Sequence, residues 1–203
     1  MSYEPVSDGE LAAVVTYLEM KSPRREPAPS APLALRKIDR PDLAGYRAMF
    51  RRVGGRWLWF SRLIMPDDQL RAIIGDPGVE LFAVVTGESE VGMLELDFRT
   101  PGECELAFVG LVPEWAGRGH GRWLLSEAVH LAWRDGIGRV HVHTCSLDHP
   151  AALRAYERAG FTAYKRAVER FPDPRLLGVL PLDCAPQVPL VGTLAIASDR
   201  PDS

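Results

Sequence analysis

Gly117, Gly119 and Gly121 alternate with Arg118 and His120, and Arg122 follows at once. Glycine lets a backbone approach an anion closely and take dihedrals that other residues avoid. The segment stands between a strand-like run and a helix-like run. The first N–H groups of a helix have no intrahelical partners, and with the helix dipole they favour negative charge. Arg118 and Arg122 add charge-assisted hydrogen bonds of the kind a diphosphate accepts. The alternative is a flexible glycine turn with solvated arginines. No Lys-Ser or Lys-Thr follows the last glycine, as a P-loop requires. A dinucleotide fingerprint fits poorly, because the spacing differs and three consecutive strands come first.

Other residues offer acid–base chemistry. Glu95 and Asp97 share one face of a strand, and on the next strand Glu105 shares a face with Ala107, Val109 and Leu111. If the hairpin register pairs one of the first two with Glu105, like charges raise one pKa and make a better base. The Thr100-Pro101-Gly102 turn leaves that register open, and solvated carboxylates fit the pattern equally well. His141, His143 and Cys145 also share a face. A polar seam beside a cleft suits them better than a metal site, which needs more ligands.

These groups need a scaffold, and the sequence sketches one. Val14–Met20 reads as a strand, and another short one starts at Leu33. Asp39 is placed to cap a helix beginning near Pro41, with Leu43, Tyr46, Phe50 and Val53 on one face and Gly54-Gly55 at its end. Residues 56–65 form an unusually apolar connection, and a short helix runs from Asp67 to Ile74. Strands follow at 79–86, 91–98 and 103–112. The glycine segment opens a helix to about Asp135, with Leu124, Leu125, Ala128, Leu131 and Ala132 as its buried stripe. A strand from Arg139 to Cys145, a helix from Asp148-His149-Pro150 to Gly160 and a strand from Phe161 to about Val168 complete the order. Consecutive strands favour antiparallel pairing and the later alternation favours a parallel crossover. The expectation is an α/β fold with a mixed, mostly antiparallel sheet and helices on both faces.

The 203 residues, 46% hydrophobic and 25% charged, suit one domain with a core. Residues 1–32 read as an N-terminal strand and Pro-rich linker, 33–171 as the main domain, and 172–203 as a Pro-rich tail that packs on it. Within the tail, Val188–Ala197 is read as a strand or simply as packed chain. A net charge of -3 gives no general reason to bind nucleic acid or anionic membrane. The three scattered cysteines form neither a disulfide framework nor a zinc pattern. No signal peptide or membrane span is read, so a cytoplasmic setting is expected.

Ala116-Gly117-Arg118-Gly119-His120-Gly121 resembles the coenzyme A pyrophosphate loop of the GNAT superfamily of N-acetyltransferases, and the stretch Thr144-Cys145-Ser146-Leu147-Asp148-His149-Pro150 resembles its bacterial members. Ala116 stands where Gln or Arg is usual. His149-Pro150-Ala151-Ala152-Leu153-Arg154-Ala155-Tyr156-Glu157-Arg158-Ala159-Gly160-Phe161 is similar to a second segment of that superfamily, Asn-x-x-Ala-x-x-x-Tyr-x-x-x-Gly-Phe, with His149 in place of Asn. The resemblance covers about residues 38–168.

The resemblance implies a sheet splayed at an acetyl-CoA cleft and direct transfer of acetyl from acetyl-CoA to a primary amine of a small molecule or peptide. It implies no metal. Ala116, Gly117, Arg118, Gly119, His120, Gly121, Arg122 and His149 would hold the cofactor. The backbone amides of Leu111 and Val112, just before Pro113, would bind the pantetheine arm and the thioester oxygen. Tyr156 would be the general acid, protonated at neutral pH with an ordinary pKa of about 10, unless it merely packs. Glu105 would be the base if the register allows. Trp57, Trp59 and Phe60 fall where the superfamily covers its acceptor. They and Glu95 would bind an acceptor with an apolar or cationic part, or the aromatics cap the core. A non-catalytic acyl-CoA-binding module is the competing reading. A homodimer is compatible with the Val188-Pro189-Leu190-Val191 run.

Overall fold

A computed structural model describes residues 3–23 and 28–193. Part of the linker, residues 24–27, and the end of the tail, residues 194–203, lie outside them. The elements are β1 (Glu10–Met20), β2 (Ala34–Lys37), α1 (Leu43–Gly54), α2 (Ser61–Ile64), α3 (Asp67–Ile74), β3 (Val79–Thr86), β4 (Ser89–Asp97), β5 (Glu103–Leu111), α4 (His120–Ala132), β6 (Arg139–Cys145), α5 (Ala152–Ala159) and β7 (Thr162–Pro172). Single 3-10 turns at Gly55–Trp57 and Pro113–Trp115 precede α2 and α4.

The strands form one seven-stranded sheet in the order β2-β3-β4-β5-β6-β1-β7. Only β5 and β6 run parallel among the described residues, because α4 carries the chain back between them. Helices cover both faces. Val91 through Leu96 of β4 are buried without a break, a pattern that requires cover on each side. Glu95 reaches Tyr46 of α1, so Leu94 and Leu96 face the opposite layer. Both α1 and α4 pack on β4 and β5.

Local signals fix most boundaries. Asp42, not Asp39, caps α1: its carboxylate accepts from Gly45 N at 2.8 Å. Asp39 lies before Pro41, outside the first turn. α4 buries Trp123, Leu124, Leu125, Ala128, Val129 and Ala132, and Leu131 is only half-buried. β7 runs on past Val168 to Pro172 because β1 offers it partners as far as Glu10.

β1 is an internal strand, antiparallel to both β6 and β7, so the sheet is not confined to residues 33–171. Residues 173–193 form no helix or strand but are pinned by Arg175. Its guanidinium pairs with Asp173 at 2.6 Å and donates to the carbonyls of Ala185 and Val188. There Leu58, Leu180 and Ala185 make a second small core. Leu58 takes the left-handed conformation at φ 59, the only non-glycine to do so among the described residues. That conformation costs a Leu roughly 1–2 kcal/mol. Full burial of its side chain, worth about 1.5–3 kcal/mol, offsets it.

Candidate active site

Pairing between β5 and β6 covers Glu103↔Arg139 to Glu105↔His141 and then stops. Beyond it the strands diverge and leave a cavity of about 1220 Å³. A bulge helps. The β4–β5 register passes from Glu95↔Phe108 to Leu96↔Leu106, so Ala107 is an extra residue on β5. Alternation therefore breaks: Glu105 shares its face with Phe108, not with Val109 and Leu111 as unbroken alternation would have it.

Pairing with β4 decides which β5 amides are free. Val112 N donates to Val91 O at 2.9 Å, so its amide cannot serve a ligand, contrary to expectation. In an antiparallel ladder the next residue along points its amide the other way. Leu111, opposite Gly92, and Val109, opposite Leu94, thus aim their N–H groups toward the gap. Both residues line the cavity.

At the mouth the chain turns through Gly117 (φ 74) and Gly119 (φ 83) into α4, whose N-cap makes no side-chain bond. A Cβ added at Gly117, Gly119 or Gly121 would meet nothing within 4 Å. These glycines are therefore not needed for packing. They leave an open, amide-lined concavity, which Ala116 and Arg122 also line. Arg118 and His120 turn instead to Trp115, at 5.7 Å and 5.4 Å from its ring, and lie off the cavity wall.

Deeper in, Asp148 ties the parts together. It accepts from Thr144 Oγ1 at 2.7 Å, from Cys145 N at 2.8 Å and from Trp59 Nε1 at 2.9 Å. Trp59 packs against Gly54, where a Cβ would fall 2.3 Å from the indole. Trp57 meets the His149 ring edge-on at 5.1 Å, and the Nδ1 of His149 accepts from Ala151 N. Trp57, Trp59, Phe60 and His149 all line the cavity. So does Tyr156, projecting from α5 with its ring edge-on to Phe161. Burial, with the negative charge of Asp148, pushes its phenol above the usual range.

The carboxylates divide differently from expectation. Glu95 is fully buried and off the cavity wall. Tyr46 donates to it at 2.5 Å and Arg62 at 2.7 Å. Burial pushes its carboxyl up while those partners pull it back. Both oxygens are occupied, so it does not bind an acceptor. The register does pair Asp97 with Glu105. Neither acid is raised, because each has a base beside it. Arg99 clamps Asp97, and His143, 3.3 Å from Glu105, holds that carboxyl below the usual range. Glu105 sits behind the wall, and His143 and Cys145 form part of the wall itself. Among the described residues, no group of three or more His, Cys, Asp or Glu is placed to hold a metal ion.

Residues 47–161, more than half of the chain, match the model of the Acetyltransferase (GNAT) family. The chain belongs to that family. No curated protein matches it. Solved structures with the same fold include a GCN5-related N-acetyltransferase from Sphaerobacter thermophilus (24% identity, TM-score 0.55, covering 82% of this chain and 52% of that one). A spermidine N-acetyltransferase from Vibrio cholerae, in complex with CoA and spermine, is 21% identical (TM-score 0.54, 68% and 92% covered). An aminoglycoside acetyltransferase from an uncultured soil metagenomic sample, in complex with sisomicin, is 17% identical (TM-score 0.53, 68% and 93%). The chain thus spans about half of the Sphaerobacter protein. No helix among the described residues is long and apolar enough to cross a membrane.

The cleft of this GNAT domain fits acetyl-CoA on its own geometry. The open glycine concavity with Arg122 suits a diphosphate, and the inward amides of Val109 and Leu111 suit an amide-bearing arm. Two wall residues, Asp148 and Val109, have no role in the sequence reading. Asp148 was visible only as a helix start. Its signal is a short acid just after a strand, placed to accept from the strand-end amide. Val109 follows from the period of two once Val112 is known to face β4. His143 belongs to the expected polar seam beside a cleft, and the structure adds Glu105 as its partner.

Proposed function

We propose that this chain is an acetyl-CoA-dependent N-acetyltransferase that moves acetyl directly to a primary amine of a small molecule or peptide. The observation that carries this reading is one continuous cleft. In it the open glycine concavity, the two inward β5 amides and the Tyr156 phenol share a wall. Acetyl-CoA supplies the activated acetyl thioester. Gly117, Gly119, Gly121 and Arg122 would hold its diphosphate, mainly by backbone, since Ala116 offers no side-chain bond. The amides of Val109 and Leu111 would bind along the pantetheine arm and act as fixed donors where negative charge develops.

Tyr156 Oη keeps its proton at neutral pH, the more firmly for its burial. It is the group in this wall suited to protonate the leaving sulfur. Trp57, Trp59, Phe60, Phe171 and Glu169 also line the cleft and would receive the acceptor. That lining suits an amine with an apolar or cationic body.

Two measurements test the reading. Acetyl-CoA raises the Tm of the wild type, and Gly119→Glu abolishes that shift. A side chain at φ 83 is strained by roughly 1–2 kcal/mol, and the carboxylate repels the diphosphate. No shift in the wild type removes the cofactor claim. Thiol release is then followed over tyramine, spermidine, sisomicin and a tetrapeptide with a free α-amine. A Tm shift without release from any amine favours the binding-module reading instead.

A further inference from the structure

We propose that His143 is the base that deprotonates the acceptor amine, and that Glu105 is its positioning residue. The inference rests on the acetyltransferase reading and names a group that reading lacks. His143 lies on β6 just past the point where β5 leaves it, so its ring stands at the edge of the splayed cleft and forms part of its wall. Its side chain is 49% exposed, accessible to both an acceptor and bulk water.

Glu105 approaches the Nδ1 side at 3.3 Å. A carboxylate there accepts from Nδ1–H, which fixes the tautomer and leaves the Nε2 lone pair free. An ammonium acceptor then breaks one N–H bond and Nε2–H forms. The imidazolium passes that proton to water, and the amine nitrogen keeps its electron pair for attack.

The surroundings suit this role. From β5, Glu105 favours the charged ring, and so do Asp148 after β6 and Glu169 on β7. His141, two residues back on β6, pairs with Glu103 at 3.5 Å. From β1, Tyr17 lies 5.9 Å from the His143 ring, and the Lys165 ammonium of β7 lies 5.0 Å from the ring of Tyr17. The hydrogen bond to Glu105 outweighs burial, and the imidazole is raised above its ordinary value. A base poised near working pH is the most effective. Two other wall groups are less suited. Asp148 already accepts three hydrogen bonds, and burial pushes the Cys145 thiol up to about 11.

The test is the pH dependence of kcat on the best amine of the panel above. Wild-type turnover should fall as pH drops through the His143 pKa. His143→Gln should lower kcat by about 10²-fold or more and abolish that acidic limb. Glu105→Gln, which removes the charge that raises the imidazole, should move the limb to lower pH. The acetyl-CoA-induced Tm shift should survive in both variants, showing that the cleft is intact. Wild-type-like turnover in His143→Gln with the same limb overturns the base assignment and leaves the acetyltransferase reading standing. An unmoved limb in Glu105→Gln overturns the positioning role. If the wild type acetylates no amine while acetyl-CoA still binds, the enzyme reading falls and the base with it.

Discussion

Glu95→Ala should be among the most damaging single changes in the chain. Glu95 is fully buried and takes the Arg62 guanidinium at 2.7 Å and the Tyr46 hydroxyl at 2.5 Å. Arg62 is itself buried and its Nε already lacks a partner, so removal of the carboxylate strands a cation and a hydroxyl together. Breaking a buried pair from one side costs roughly 3–5 kcal/mol. At roughly 2–4 °C per kcal/mol for a chain of this size, a loss near 4 kcal/mol lowers Tm by about 8–16 °C. The triple variant Glu95→Leu, Arg62→Met, Tyr46→Phe replaces every polar member by an apolar one of similar size. It should recover stability to within about 1 kcal/mol. Urea titration of the wild type, the single and the triple variant decides the matter. A loss below about 1 kcal/mol in Glu95→Ala, or a triple variant weaker than the single, refutes the reasoning. Arg62 also holds α2 against Phe108, 5.2 Å from its ring, and so anchors the segment that carries Trp57 and Trp59. Its release should raise the acceptor KM more than it weakens acetyl-CoA binding.

Gly54→Ala should displace the Trp59 indole, since the new methyl falls 2.3 Å from it, and should cost about 1–3 kcal/mol. The loss of the Trp59–Asp148 bond should change tryptophan fluorescence, and an unchanged spectrum with an unchanged Tm would show that the contact is slack. Tyr156→Phe removes only the phenol oxygen. Turnover should fall about 10²-fold or more with the acetyl-CoA-induced Tm shift unaltered, and equal turnover across the amine panel would remove Tyr156 as the acid.

Much of this fold is legible because its signals are local. The helix over Asp67–Ile74 and the strand over Arg139–Cys145 stand where periodicity and breakers put them, since Gly75-Asp76-Pro77 and Gly138 act on the adjacent chain alone. β1 shows the limit. Its residues read as a strand, yet nothing in them says that the partners are β6 and β7, more than a hundred residues away. Pairing is set by which hydrophobic face is left to bury, a property of the assembled sheet. The tail's second core is hidden for the same reason: Leu58 and Leu180 meet only once the chain is folded. Of Val188–Ala197, residues 188–193 form no strand and the rest lie outside the described residues.

The bulge at Ala107 explains why the site was harder to read than the scaffold. One inserted residue turns the amide direction and the side-chain face of everything N-terminal to it on β5. With it, Glu105 stands on the α1 face, opposite Asp97 and beside His141 and His143. C-terminal to it, Val109 and Leu111 still aim their amides at the gap. In an unbroken strand Glu105 would share the face of Val109 and turn away from Tyr46, Phe108 and His143, so the imidazole would lose its carboxylate. Sequence alternation alone therefore groups Glu105 with Leu111, joining two residues that the bulge must separate. The proton-handling face and the amide-donating edge of β5 are compatible only because Ala107 puts them half a period out of step.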